Sequence, residues 1–233
     1  MVRVDNFDTI SSFLTFANED EFHYVVVMRR KKDNPNDAEE EYDESIANVY
    51  DDAVYLGGWV IEKYEDLLEY REEIVSLCEE NNARAYITIN PRTFERVEKE
   101  AEYREKNNMN PGAEFMMSAA SIKRKNDSEY DWEHLNPKVL IDVDTDDVAA
   151  LLEIRQILLE NGCEILFESE SPDGGKQFVV PDRRVLDIRD KFLKFDDCHM
   201  VGKPVGSWGH AVSFLPDTMT NLFADLHVNQ DVE

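Results

Sequence analysis

Residues 138–144 read Lys-Val-Leu-Ile-Asp-Val-Asp, and few structures accommodate such a run. A short apolar stretch rich in β-branched residues predicts a strand buried in a sheet. Side chains alternate along a strand, so Asp142 and Asp144 project from one face while Val143 packs behind them. A carboxylate set into so apolar a strand requires a partner or a cation. Two carboxylates placed this way can hold one or two Mg²⁺ or Mn²⁺ ions through oxygen ligands. Ions of that kind activate an attacking oxygen and neutralise a triphosphate. The structural alternative is that Asp142 caps a neighbouring turn and Asp144 opens the following helix. Acids two residues apart arise by chance about ten times in a chain of this composition. The apolar context, not the spacing, therefore carries the signal.

That abundance of acid constrains function. The 233 residues hold 51 Asp and Glu against 25 Lys and Arg, a formal charge of −26. Proteins that coat nucleic acid through phosphate contacts are usually basic, so this chain repels polyanions at long range unless cations or a local basic patch intervene. Three readings of the acidity stand: a salt-rich cytoplasm, mimicry of a polyanion, or simple solvation of the surface. Lys and Arg are nearly balanced, which argues against salt adaptation. The 42% hydrophobic content supplies a core and excludes wholesale disorder. No run is long and apolar enough for a membrane helix. The N-terminal MVRVDNFDTISS has no apolar leader core, and the expectation is a cytoplasmic protein, in the host cell if viral. Cys78, Cys163 and Cys198 fit reduced thiols better than a disulfide frame.

The pattern along the chain predicts an α+β fold: a mixed or antiparallel sheet with helices packed on it, in one domain over 1–233. Phe7, Ile10, Phe13, Leu14 and Phe16 predict a short helix within 6–20, capped near Asp8 or Ser11. Strands are expected at 22–28, 55–61, 83–90 and 138–143, with helices over 65–81 and from Pro91 through 94–106. From Asp33 to Asp52 there are nine acidic residues and no basic one, an exposed insertion at about 33–52. A long connection runs through about 107–137 and holds Lys123-Arg124-Lys125. Thr145 caps a helix over 149–160 that Gly162 stops. Strands at 163–168 and 176–180 flank SESPDGG as a hairpin. A helix over 182–195 and late strands at 199–205 and 210–215 complete the order.

Two further stretches bear on chemistry. The first is Ser171-Pro172-Asp173-Gly174-Gly175-Lys176-Gln177. It lacks the Gly-Lys-Ser/Thr ending of a phosphate-cradling loop, because Gln177 stands where Ser or Thr is needed. It is either an ordinary hairpin turn or a close backbone approach to a nucleotide, with Lys176 against the phosphates. The second is Tyr86-Ile87-Thr88-Ile89-Asn90-Pro91-Arg92. It places Arg92 at a sheet edge, where a guanidinium offers a fork for phosphate. The structural alternative there is a helix cap from Asn90 and a surface arginine. No Cys or His spacing matches a zinc site, and no nucleophile elbow surrounds a Ser or Cys.

Taken in order, YITINPR, VLIDVD and ESPDGGKQFVV resemble the catalytic core of archaeo-eukaryotic-type primases, most nearly the divergent forms of phages and other mobile elements. The resemblance spans about residues 55 to 215. It implies a primase-like, RRM-related core and a DNA-replication role. Asp142 and Asp144 are then the catalytic and metal-binding pair for Mg²⁺ or Mn²⁺. Ser171, Gly174, Gly175, Lys176 and Gln177 lie along a nucleoside triphosphate, Arg92 is a substrate-side cation, and Lys203 faces the cleft. Two positions depart from the family pattern. Gln177 stands where the family has His, and no later Asp matches its third acid. If active, the protein transfers nucleotides on single-stranded nucleic acid, which enters beside Lys123-Arg124-Lys125 or Arg29 to Lys32. The alternative is an inactive acidic protein that binds a host or viral protein, as a polyanion mimic or inhibitor of a nucleic-acid enzyme.

Overall fold

The computed structural model describes residues 2–42, 49–50, 52–108, 138–143, 148–171, 175–181, 188–192, 198–200, 203–204, 212–215 and 219–226. The fold is α+β, with two largely antiparallel sheets and a few helices. The chain divides into two compact units, Met1–Lys125 with Asn221–Glu233, and Asn126–Thr220.

The first unit is built on β2 (Glu21–Arg30), whose Phe22 to Val27 are all buried. Burial of every residue means both faces are covered. β4 (Ala53–Ile61) and β5 (Arg84–Thr88) flank β2 antiparallel, and β3 (Val49–Tyr50) extends the sheet beyond β4. On the other side β5 neighbours β13 (Met219–Leu226), which pairs antiparallel with β1 (Val2–Asp5). The expected helix over 65–81 forms as two, α1 (Tyr64–Glu69) and α2 (Arg71–Asn81). α2 buries Ile74 and Cys78 and ends at Asn82 with φ +46°, a left-handed conformation Asn tolerates. Burial, then the neighbouring Glu79 carboxylate, pushes the Cys78 thiol up to about 12, so it is a packing group, not a nucleophile.

Three expectations change here. Residues 6–20 form no α-helix; one 3₁₀ turn, Ile10–Ser12, suffices to bury Phe7, Ile10 and Phe13. The hydroxyls of Thr9 and Ser12 donate to the carbonyls of Asn6 and Thr9, a local alternative to helix bonding. His23 then ties the backbone of Thr15 to that of Thr88, with ring nitrogens 3.1 Å and 2.7 Å from the two carbonyl oxygens. The helix after Pro91 is α3 (Phe94–Lys106), capped by Thr93 rather than Asn90. Arg92 and Thr93 form a two-residue strand, β6, that pairs with β2.

The acidic stretch is the third. Glu39, Glu40 and Glu41 are exposed, but the residues around them are pinned. Arg84, itself buried, grips the largely covered Asp33 with two hydrogen bonds of 2.6 and 2.5 Å. Arg29 pairs with Asp37 at 2.5 Å, and the Tyr42 hydroxyl donates to the same carboxylate at 2.6 Å. Lys31 donates to the Asp37 carbonyl and lies over the Tyr42 ring. Asp33 is thus neutralised by Arg84 and Asp37 by Arg29 of the basic run that precedes the stretch.

The second unit has the strand order β11-β10-β12-β7-β9-β8. Its strands are β7 (Val139–Val143), β8 (Phe167–Glu170), β9 (Lys176–Val180), β10 (Cys198–Met200), β11 (Lys203–Pro204) and β12 (Val212–Leu215). The β10–β12 pairing is parallel and the others are antiparallel. The helix α4 (Val148–Glu160) packs Leu151, Ile154 and Leu158 against Val139, Ile141, Val143 and Phe178. Gly162, at φ +72°, ends it, and the Cys163 N–H returns to the Leu158 carbonyl at 3.0 Å. That bond takes Cys163 out of reach of the ladder, so the strand expected at 163–168 begins only at Phe167. Of the helix expected over 182–195, the described residues hold a 3₁₀ turn, Arg189–Phe192, with Phe192 in the core.

The Arg84–Asp33 clamp generates a prediction. Asp33→Ala removes a bidentate carboxylate from a buried guanidinium and should cost about 3–5 kcal/mol, whereas Arg84→Met with Asp33→Leu should recover most of that loss. Urea unfolding of wild type and the two variants tests it; a near-neutral Asp33→Ala would contradict it.

Candidate functional site

β7 sits between β12 and β9, and its alternation divides the second unit's sheet into two unlike faces. Val139, Ile141 and Val143 point to α4. Leu140 and Asp142 therefore lie on the face away from α4. The register places Gln177 of β9 and Ser213 of β12 directly opposite Asp142, and Ser169 of β8 opposite Gln177. One row below, Leu140 faces Val179, which faces Phe167. A polar row thus crosses the sheet beside an apolar one.

The polar row has a directional hydrogen-bond chain. The Thr220 hydroxyl donates to Gln177 Oε1 at 2.8 Å, and Gln177 Nε2 donates to Asp142 Oδ1 at 3.1 Å. Thr220 and Gln177 are buried, while Asp142 is half-buried. Thr220 fixes which way the amide points, and the amide then presents its donor to the carboxylate. A protonated His in place of Gln177 would add a positive charge here; the amide adds none. The Ser169 hydroxyl on the same row is buried without a hydrogen-bond partner among the described residues.

Lys176 does not join this row. Its neighbour in register is Val143, so it lies on the α4 face, and its ammonium pairs with Glu168 at 2.7 Å. Arg155 of α4 binds the other Glu168 oxygen at 3.1 Å. Partial burial works to raise the Glu168 pKa, but the hydrogen bonds and charges of Lys176 and Arg155 more than offset it and hold it below the usual carboxylate range. The structure therefore brings Asp142 and Gln177 together and sets Lys176 on the opposite face. Ser171 and Gly175 close the hairpin, the Ser171 N–H donating to the Gly175 carbonyl at 2.8 Å.

Arg92 belongs to the first unit, where pairing with Phe22 draws it inward to 2% exposure. It stands on β6, which pairs with β2 alone among the described residues, but it is not a surface arginine. Arg29 and Lys31 are held by the acidic stretch as described above, and Arg30 donates to the Tyr86 hydroxyl at 3.4 Å. Lys203 lies on β11 opposite Met200. Asp144, Gly174 and Lys123-Arg124-Lys125 lie outside the described residues. Among the described residues, no group of three or more His, Cys, Asp and Glu is placed to hold a metal ion. Of the pair expected to bind Mg²⁺ or Mn²⁺, only Asp142 can be placed.

Thr220, Glu168 and Arg155 carried no signal in the sequence. Thr220 reaches the site from a strand 43 residues beyond Gln177. Glu168 and Arg155 are two charges among many. The chain matches no protein-family model, no curated protein and no solved structure.

Glu168 gives a pH prediction. Its folded pKa lies below the unfolded value of roughly 4.3. Its stabilising contribution is complete above that value and is lost as pH falls through the folded pKa. Glu168 is partly exposed, so Glu168→Gln should cost less than about 1 kcal/mol at neutral pH. Thermal unfolding of both proteins across acidic pH should show the gap closing; a gap that widens toward acid would contradict the assignment.

Proposed function

We propose that this protein is a nucleotide-handling DNA-replication protein of a virus or mobile element, with a primase-type core in the divergent form the sequence resembles. The observation that carries the reading is the cross-strand pair Asp142–Gln177. The resemblance selected these positions separately, one as a metal ligand and one as the residue after the glycine turn, and they are direct neighbours on one sheet face. Asp142 and Asp144 are the residues that would hold Mg²⁺ or Mn²⁺, and the ion when bound supplies neutralisation of triphosphate charge. Gln177 orients the Asp142 carboxylate, and Thr220 orients Gln177. Lys176, paired with Glu168 on the other face, has no part in the Asp142 site. Because Gln177 adds no positive charge, triphosphate binding on this reading depends more heavily on the cation than in a site with His.

A second reading is favoured by how the basic side chains are used. Arg29, Lys31, Arg84 and Arg155 all engage groups of this chain, which leaves a surface dominated by carboxylate. An acidic protein that binds a basic host or viral protein fits that surface, with the primase-type core retained and its chemistry lost.

Calorimetric titration of a nucleoside triphosphate with Mn²⁺, into wild type and Asp142→Asn, separates the two. The first reading expects Mn²⁺-dependent binding that weakens roughly tenfold or more in the variant, about 1.4 kcal/mol. A folded wild type that takes up no nucleotide, or a variant that binds equally well, rejects it and leaves the interaction reading.

A further inference from the structure

In the first unit β4 is paired along the whole of one side and along little of the other. β3 meets it only at Ala53 and Val54. From Tyr55 to Ile61 nothing among the described residues pairs with the side of β4 that faces away from β2. The ladder shows which groups are left there. The Tyr24 N–H donates to the Thr88 hydroxyl, so the backbone of Tyr24 is turned to β5. Alternate residues of a central strand turn to opposite neighbours, so His23, Val25 and Val27 are turned to β4. Their partners in register are Ile61, Trp59 and Gly57. Gly58 and Val60, which lie between those partners, therefore direct their N–H and C=O groups outward along a free edge.

Such edges are ordinarily blunted by charge, by proline or by a covering element, because they template another strand. Over Ala53–Ile61 the sequence AVYLGGWVI holds no charged residue and no proline, in a chain of which 33% is charged. Its one irregularity is a bulge at Leu56, opposite the step from Val27 to Met28. The regular open edge thus runs from Gly57 to Ile61 and is centred on Trp59. Beyond it the chain bends at Glu62 and Lys63 and enters α1 at Tyr64.

We propose that β4 pairs antiparallel with β4 of a second copy of this chain, about a two-fold axis at Trp59, and extends the sheet from one copy into the other. In that register Gly58 of each copy faces Val60 of the other, which satisfies the outward groups of both. Trp59 of one copy stands opposite Trp59 of the other at the closer, non-hydrogen-bonded spacing, where aromatic cross-strand pairs add stability. The fit extends to the ends. Glu62 and Lys63 of each copy fall opposite Leu56 and Tyr55 of the other, so no like charges meet. The second strand bends away where β3 takes up the edge at Val54. The chemistry of the edge selects this occupant. It offers backbone groups and apolar side chains without charge, so a basic protein, a nucleic acid or an anionic lipid finds no counter-charge there. In a chain of net charge −26, an uncharged strand is also where two copies approach with least repulsion. β4 belongs to the first unit and Asp142 to the second, so the proposal stands apart from the nucleotide reading.

The test acts at Val60, since a Cβ at Gly58 would collide with the Tyr24 hydroxyl. Val60→Pro deletes an outward N–H that the β2 ladder does not use, and Val60→Lys puts a charge on the edge. Sedimentation equilibrium of the full chain, up to roughly a few hundred micromolar, should show a monomer–dimer equilibrium. It should tighten roughly tenfold between about 50 mM and about 0.5 M salt, as screening removes the repulsion between copies. Both variants should stay folded by circular dichroism and monomeric over the same range. Amide exchange followed by NMR should slow at Gly58 and Val60 as the wild-type concentration rises, while Trp59, bonded to β2, is protected throughout. That readout decides the matter on the wild type alone if a variant fails to fold. A monomer at every concentration in both salts would overturn the proposal. So would a dimer that persists in both variants, one that Leu152→Glu on α4 abolishes, or Gly58 and Val60 amides that exchange alike in monomer and dimer.

Discussion

The period of two along β7 is the constraint on which the second unit depends. Three of its residues, Val139, Ile141 and Val143, are committed to the core beneath α4, and a slip of one residue would exchange them for Leu140 and Asp142. Register is therefore strongly specified, and with it the position of Asp142 opposite Gln177. The same alternation acts on β9, where burying Phe178 beneath α4 sends Gln177 to one face and Val143's neighbour Lys176 to the other. A carboxylate in so apolar a strand is tolerable because an amide, itself held by a threonine, donates to it.

Electrostatics organises the rest. With about two acids for every base, the chain places its cations where burial makes pairing matter. Arg84 holds Asp33 and Arg104 holds Glu100, with Arg84, Arg104 and Glu100 buried. Arg71 joins Asp5 and Asp8 at the start of the chain to α2. Such pairs are weak evidence of stability gained over an apolar alternative, but breaking one leaves a costly buried charge. Within the run from Arg29 to Lys32, Arg29 is likewise taken up by the Asp37 and Glu41 carboxylates, Arg30 by the Tyr86 hydroxyl and Lys31 by the Asp37 carbonyl.

The two faces of the second unit's sheet consequently differ in kind. One carries a polar row in which the neutral Gln177 amide donates to the Asp142 carboxylate. The other is covered by α4, whose own outer side exposes Val148, Leu152 and Leu159.

Much of the fold was legible locally. β2, β4, β5, β7 and β9, the helices α3 and α4, and the hairpin between β8 and β9 follow from apolar periodicity, Gly162 and the Gly-Gly turn, all of which act within a few residues. Asp142 was legible for the same reason, as a carboxylate in an apolar strand. What tertiary structure decided were matters of closure between distant segments. β1 and β13 are short or polar-interrupted and become strands by pairing with each other, 215 or more residues apart. Thr220 becomes the anchor of Gln177 only when the second unit closes across the 43 residues between them. Arg92, exposed on any local reading, is drawn inward because β6 pairs with β2. Asp33 and Asp37 look like free surface acids until Arg84 and Arg29 fold against them. Local pattern determines which residues seek the core and which element they form; partners, register across the sheet and the face a charged side chain occupies are set by contacts whose entropy of closure no short window of sequence contains.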